Sequence, residues 1–570
     1  MCGVRSFLTT MAVGVLIVSA AAQADAQSLD GKDTLTSATP QRSDTFSVPD
    51  GGCGWPGAIA FPPGERDINL RDGWPVDLSL DGAGFPYTPT LYDIDGDGAD
   101  EIFLTGGHTF GLRGDGTFLP GWPTREHQYM GYGTNGNMPG PSGADFDGDG
   151  EGEILWSQRD WWAGNCEMWS FNGRNLDGSD LPGFPQFAPG DYSNALATPF
   201  VLGDTDGDGD LEAWGPHTLG NTGIYYRVSA FDHTGTRLFT VDLDDEEDIL
   251  SLYFGDLNDD DTDEMFAVSW LEPSFWLHVF EADGDEVDGY PIVLHTLGYG
   301  SLMFGPPIPA DLDDDGDLEI LLGYWGSGAS YADCYHHDGT HCEGYPIQIA
   351  TNSQLLYLGL GDITGDGGPE LLATENHLGA AYRVFAIDLA TGTTLPGWPY
   401  GVTSWPKAFP AVVDVDNDAV KDVCFTTGSG ELFAVSGQGE LIDGYPKQMV
   451  ASSISGVAVG DIDGDGLFEL VAATWDGWVY AWDTPTPALP SRTDWPMRGV
   501  DVRNTGVFRP VRCSGDLDGD NDTDQGDLGT LLADWGCNDP VNGCVGDLDG
   551  DDDTDQGDLG ILLADWGCGT

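Results

Sequence analysis

Short apolar runs alternate with acidic, glycine-rich turns along most of this chain, and the alternation recurs about every fifty residues. Val412-Val413 and Val457-Ala458-Val459 lead into such turns. Ile102-Phe103-Leu104, Ile154-Leu155-Trp156, Ile320-Leu321-Leu322 and Leu470-Val471-Ala472 lead out of them. Further on, most units carry a Gly-aromatic-Pro turn: Gly121-Trp122-Pro123, Gly183-Phe184-Pro185, Gly289-Tyr290-Pro291, Gly344-Tyr345-Pro346, Gly397-Trp398-Pro399 and Gly444-Tyr445-Pro446. Runs this short, punctuated by Gly and Pro, predict β-strands, and no long 3.6-residue periodicity competes. Four strands per unit predict an all-β propeller of seven or eight blades, eight being favoured by the number of units. Gly73-Trp74-Pro75 precedes the first acidic turn and Asp494-Trp495-Pro496 follows the last. One of the two is expected to complete the last blade and hide its sheet edge. An open solenoid would need a polar capping repeat, and none is visible.

The acidic turns share a nine-residue pattern, with an acid or polar oxygen at positions 1, 3 and 5, often Gly at 6, and an acid at 9. The first four sets are Asp93, Asp95, Asp97 and Glu101; Asp145, Asp147, Asp149 and Glu153; Asp204, Asp206, Asp208 and Glu212; Asp256, Asn258, Asp260 and Glu264. The other four are Asp311, Asp313, Asp315 and Glu319; Asp362, Thr364, Asp366 and Glu370; Asp414, Asp416, Asp418 and Asp422; Asp461, Asp463, Asp465 and Glu469. Alternate side chains of a tight turn converge on one point. A hard dication such as calcium wants six to eight oxygens there, a backbone carbonyl among them. Without a cation, the gathered carboxylates would repel. Solvated hairpin turns rich in Asp and Gly are the plain alternative, but they would not keep one register eight times. Three loops depart from the pattern: Asn258 stands at position 3 and Asp261 at 6 in one, Thr364 at 3 in another, and Ala419 at 6 in a third.

Charge sharpens this picture. The chain has 96 acids against 20 Lys and Arg, a formal net charge of −76. Such a balance argues against nucleic acid and anionic membrane as partners. Its 19 Trp, 25 Phe and 19 Tyr argue against acidic disorder. Residues 1–26 carry Arg5, an apolar run from Met11 to Ala22 and small-residue cleavage options at Ala22-Gln23-Ala24 and Ala24-Asp25-Ala26. This is the layout of a secretory signal peptide, and its run is too short to span a membrane. No transmembrane segment is expected, residues 27–69 read as a linker, and the mature protein is placed outside the cytoplasm, secreted, periplasmic or at the cell surface.

The nine-residue loops resemble the FG-GAP/VCBS repeats of integrin-α-type propellers, whose D-x-D-x-D-G-x-x-[DE] loops hold calcium between blade strands. The resemblance covers roughly residues 70–510 and implies fold and metal rather than activity. Residues 513–570 are a tandem duplication, Cys513–Cys537 and Cys544–Cys568, each with a twelve-residue acidic loop. Positions 1, 3, 5, 9 and 12 are Asp516, Asp518, Asp520, Asp524 and Asp527, then Asp547, Asp549, Asp551, Asp555 and Asp558. That is EF-hand spacing, followed by short amphipathic segments Leu528 to Trp535 and Leu559 to Trp566. Position 6 is Asn521 or Asp552 instead of Gly, and position 12 is Asp instead of Glu. The pair resembles dockerin type I repeats, which implies a small α-helical calcium-folded module docking onto a cohesin-like protein through Gln525-Gly526 or Gln556-Gly557. A self-contained calcium-stabilised module, or a tail reaching a cell-surface receptor, is the alternative.

Cys513/Cys537 and Cys544/Cys568 bracket their repeats and are disulfide candidates, as are Cys334 and Cys342 around the HHDGTH turn; Cys53, Cys166 and Cys424 are left over. No HExxH, G-x-S-x-G or phosphate-cradling glycine loop occurs. His336, His337 and His341 cluster, and a polar turn is preferred over a transition-metal site for them. Trp161-Trp162 could stack on sugar rings, though blade cores also use Trp. Two function classes follow. The first is an exported, non-catalytic, calcium-stabilised binding or adhesion protein with a glycan or protein ligand. The second is a carbohydrate-active enzyme, a polysaccharide lyase or glycoside hydrolase of a polysaccharide-degrading assembly. The scarcity of Lys and Arg, which a lyase uses to neutralise an acidic sugar, favours the first.

Overall fold

The apolar runs form strands that group into eight separate antiparallel sheets, the blades of a propeller. The computed structural model describes residues 70–508 apart from loop segments, the longest being 79–87, 125–139, 189–199 and 218–226. It also describes Thr523, residues 525–535 and five positions between 554 and 563. The signal-peptide and linker readings and nearly all tail loop residues lie outside the described residues. The architecture below is that of the unit Ala58–Thr570.

Blade 2 shows the plan: Ser142–Ala144, Glu153–Trp162, Cys166–Asn175 and Gln186–Ala188 pair in sequence order. The first strands of the other blades are Thr90–Tyr92, Val201–Gly203, Asp248–Gly255, Ile308–Ala310, Gln354–Gly361, Ala411–Val413 and Ala458–Gly460. In every blade the acidic loop is the hairpin between first and second strands, and its ninth residue lies at or near the start of the second.

Both faces of these second strands are covered, because each blade packs on two neighbours. Glu101–Thr105 is buried throughout. The core therefore lies between blades: Phe103 and Trp122 of blade 1 cluster with Ile154 and Trp156 of blade 2. Phe171 and Phe184 of blade 2 likewise meet Phe200 and Phe231 of blade 3. Aromatics are abundant because each wide interface has to be filled from both sides.

The two ends behave differently from one another. Gly73-Trp74-Pro75 belongs with the six internal Gly-aromatic-Pro turns, since all seven carry a cis peptide before proline. The strand after it, Val76–Asp77, pairs with Trp478–Pro487 and completes blade 8. Asp494-Trp495-Pro496 is a different element. Thr493–Trp495 is a strand added to the first strand of blade 7.

From there the chain laps the inner rim in blade order. The carbonyls of Arg492, Pro496, Val502, Arg503 and Thr505 accept the N–H groups of Asp414, Val459, Gly143, Leu202 and Phe254, in blades 7, 8, 2, 3 and 4. Phe508 then donates to Pro309 of blade 5, and the Asp494 carboxylate accepts the N–H of Asp362 in blade 6. Backbone groups at or beside the first strands of blades 2 to 8, which would otherwise be unpaired, are satisfied by this segment.

Cys334 and Cys342 form a disulfide across the HHDGTH turn, and Cys424 is a buried free thiol. In the tail, a helix spans Gln525–Asp534, starting three residues before the expected Leu528, so that Gln525-Gly526 and Asp527 form its first turn. The duplication extends to burial: Thr523 and Thr554 are covered, as are Leu531 and Leu562, whereas Leu532 and Leu563 are each 54% exposed. Among the described residues no helix is long and apolar enough to cross a membrane.

Trp495 is buried against Phe508, with ring centroids 6.0 Å apart. Trp495→Ala is expected to cost about 3–5 kcal/mol, measured by denaturant unfolding.

Candidate metal centres

Each acidic loop is built on its ninth residue. Glu101, Glu153, Glu212, Glu319, Glu370, Asp422 and Glu469 are buried. In all eight loops this carboxylate accepts the N–H of position 2: Ile94, Phe146, Thr205, Leu257, Leu312, Ile363, Val415 and Ile462 donate over 2.8–3.3 Å. That bond closes the turn across its base. The carboxylate of position 1 then gathers the loop from inside. Asp362 accepts from residues 364, 365, 366 and 367, and Asp461 accepts from 463, 464, 465 and 466.

Such winding needs left-handed backbone. Gly464 and Gly466 have φ 71° and 80°, at positions 4 and 6. The requirement at position 4 was not anticipated from the sequence. In blade 7 these places are held by Asn417 and Ala419, at φ 62° and 75°. Asn tolerates this region, whereas Ala is strained in it.

Three carboxylates thereby converge in each of several loops. Asp93, Asp95 and Glu101 place one oxygen each within 4.8 Å of one another, and so do Asp145, Asp147 and Glu153, Asp204, Asp206 and Glu212, and Asp311, Asp313 and Asp315. Burial, with neighbouring loop carboxylates adding, pushes Glu101, Glu153 and Glu469 up to about 7 and Glu370 and Asp422 to about 8. Glu212 and Glu319 shift the same way.

The loops differ in what answers this acid. In blade 4 the amide of Asn258 donates to Glu264, and in blade 6 the hydroxyl of Thr364 donates to Glu370. These two departures at position 3 thus supply a neutral hydrogen bond where a third carboxylate would stand. In blade 8 the guanidinium of Arg71 reaches Glu469 at 3.2 Å and Asp483 at 3.0 Å, and also pairs with Asp463. In blade 7 Arg492 lies 3.1 Å from the buried Asp414. Both arginines come from the segments that close the ring, and sequence proximity gave no sign of either. In blades 1 and 2 a buried oxygen of position 3, Oδ1 of Asp95 and of Asp147, has no hydrogen-bond partner. Those two loops fit a hard cation best: each combines convergent carboxylates with a buried orphan acceptor, and the charges of Arg113 and His233 bear only partly on Glu101 and Asp147.

Asp208 and Asp260 lie outside the described residues, as do Asp516, Asp518, Asp520, Asp524, Asp547, Asp549, Asp551, Asp555 and Asp558. Of the three clustered histidines, His336 and His337 both approach Asp317, and His341 stands apart from them. His336 faces Glu319 at 2.7 Å, His337 faces Asp317 at 2.6 Å, and His341 faces Asp333 at 2.6 Å.

The loops also touch one another. Asp100, Gly152 and Leu318, at position 8, donate their N–H to the carbonyls of Asp461, Ile94 and Leu257 in the preceding blades' loops.

No family model and no curated protein matches the chain. Solved structures similar to it include the V. cholerae biofilm matrix protein Bap1, at 14% identity over 78% of this chain and 97% of that one, TM-score 0.45. A Bacillus licheniformis rhamnogalacturonan lyase PL11 shows 15% identity over 78% and 80%, TM-score 0.37. The Dos1 propeller shows 10% over 59% and 90%, TM-score 0.33. The fold itself rests on the sheet topology.

Ala419→Gly is expected to stabilise the protein by about 0.5–1 kcal/mol by relieving the left-handed alanine, read from the denaturant midpoint. Arg71→Met, by stripping the buried Glu469 of its cation, is expected to cost about 3 kcal/mol in the presence of chelator, measured the same way.

Proposed function

We propose that the chain is an exported calcium-binding protein whose propeller is a non-catalytic binding or adhesion platform, recruited or anchored through its dockerin-like tail. The observation that carries the metal reading is the pair of buried, unpartnered oxygens of Asp95 and Asp147, each set among carboxylates within 4.8 Å. A buried acceptor without a donor is costly, and a dication would satisfy it while keeping Glu101 and Glu153 charged. Asp93, Asp95, Asp97 and Glu101 would hold one ion and Asp145, Asp147, Asp149 and Glu153 another. The loop of blade 3 carries the same residue types. Calcium would act here as a structural counter-charge, fixing the hairpin between first and second strands.

The non-catalytic reading is supported by where the bases are. Arg71, Arg174, Arg383, Lys421 and Arg492 each pair with a carboxylate of the fold. Arg237 and Lys447 lie over the rings of Phe231 and Tyr445. They are spread around the ring, not gathered where an acidic sugar would need neutralising. In the tail, Leu532, Trp535 and Leu563 are exposed apolar side chains that a docking partner would cover.

Calcium counted by native mass spectrometry is expected at several ions per chain. Chelator is expected to lower the unfolding temperature, each site contributing about 2.7 kcal/mol at a hundredfold excess of calcium over Kd. Glu101→Gln with Glu153→Gln is expected to remove two ions from the count. No bound calcium and no chelator effect would overturn the reading. Turnover on any polysaccharide would replace the binding platform with an enzyme.

A further inference from the structure

The counter-charge in blade 5 differs in kind from those of blades 7 and 8. A guanidinium holds a carboxylate but has no lone pair to give a metal. The group facing the ninth acid of blade 5 is an imidazole. His336 stands one step beyond the Ile320–Tyr335 pair of the blade 5 ladder, which sets it opposite Glu319, and its Nδ1 lies 2.7 Å from Glu319 Oε1. His336, Asp313 and Glu319 each bring a ligand atom within 4.8 Å of the others. Asp317 adds Oδ1, a buried atom without a hydrogen-bond partner, 3.8 Å from the same ring nitrogen.

The turn that carries this ring is held in place from both sides. The His336 N–H donates to Thr340 and its carbonyl accepts from Gly339, while the Cys334–Cys342 disulfide ties the two arms of the turn together. Glu319 is equally fixed, being buried and bonded to the N–H of Leu312. Arg113, Asn175, Asp232, Glu281 and Ser436 open the corresponding turns in other blades, so the imidazole is a local substitution in the repeat.

We propose that the loop of blade 5 is a mixed nitrogen–oxygen site for a first-row transition dication of the zinc class, held by Asp313, Glu319 and His336. Imidazole is a favourable ligand for such ions and a poor one for calcium, which takes oxygen. Imidazole nitrogen and carboxylate oxygen are both donor types that zinc takes. Positioned ligands lower the ordering cost of binding. The proposal shares with the calcium reading only the premise that these loops take metal.

The test uses the full chain, stripped with chelator and dialysed into millimolar calcium, then titrated with cobalt(II) as a spectroscopic substitute for zinc. The expected result is one cobalt ion per chain with a visible absorption band, displaced by zinc and not by calcium. His336→Gln and His336→Arg are expected to weaken cobalt binding by about tenfold or more with no loss of bound calcium. His336→Arg keeps a cation beside Glu319, so it separates loss of a ligand from loss of a counter-charge. His233→Gln, which alters the His233–Asp210 pair of blade 3, is expected to bind cobalt as the parent does. Cobalt binding unchanged in both His336 variants, or calcium displacing cobalt from the parent, would overturn the proposal. A cobalt site intact in a chain that binds no calcium would leave it standing and sink the calcium reading instead.

Discussion

The carboxylate at the ninth position of each loop is the constraint on which the propeller depends. It enters the protein at the start of the second strand, where neighbouring blades cover it, and in every loop it accepts a backbone N–H from across the turn, joined in blade 2 by the N–H of Asp147 and in blade 3 by the hydroxyl of Thr205. One or two neutral hydrogen bonds do not compensate a buried charge. Each blade therefore needs a further answer, and the blades give different ones. Asn258 and Thr364 supply neutral donors, Arg71 supplies a guanidinium, and His336 supplies an imidazole. Blades 1 and 2 gather carboxylate oxygens around a position 3 acceptor that no donor reaches, which is why they are the best seats for a cation. A repeat that is uniform in sequence register is thus electrostatically varied around the ring.

The same loops join the blades. Between blades 8 and 1, 1 and 2, and 4 and 5, the eighth residue of one loop donates to a carbonyl of the preceding loop. Asp100, placed at one of these junctions, is pushed up to about 7 by burial and by the carboxylates of Asp93 and Asp461. Stabilising one loop with a cation would also stiffen the junction to its neighbour. The apolar interfaces beneath are non-directional, whereas these polar bridges set one donor against one acceptor at the loop face.

Much of the fold was legible because a repeat advertises itself. Strand runs, acidic hairpins and Gly-aromatic-Pro turns recur at one spacing, and eight copies became eight sheets. The first-to-second strand placement of the loops followed from apolar runs on either side of them. What escaped notice acts across long sequence distances. Arg71 meets Glu469 only because residues near 76 complete a sheet made by residues near 480. Likewise, Trp495-Pro496 resembles the other aromatic-Pro pairs but lacks the preceding glycine with positive φ, and it forms strand instead of turn. The signal for this was present in Asp494, which stands where every other such turn has Gly. His336 was noticed as part of a histidine cluster, but its partner was set by ladder register, which a one-dimensional reading of HHDGTH does not contain.

The lap of residues 492–508 around the inner rim has a consequence for the order in which the protein can be made. Val76 waits for Val479, and the first strands of blades 2 to 5 wait for backbone partners that follow blade 8 in the chain. Contacts this distant in sequence make for slow folding. Until residue 508 is available, a growing chain carries first strands in blades 2 to 5 that lack these backbone partners, and unpaired edges invite association. The propeller is therefore expected to assemble late and as a whole, and a chain cut short within its last blade would be open at both seams at once.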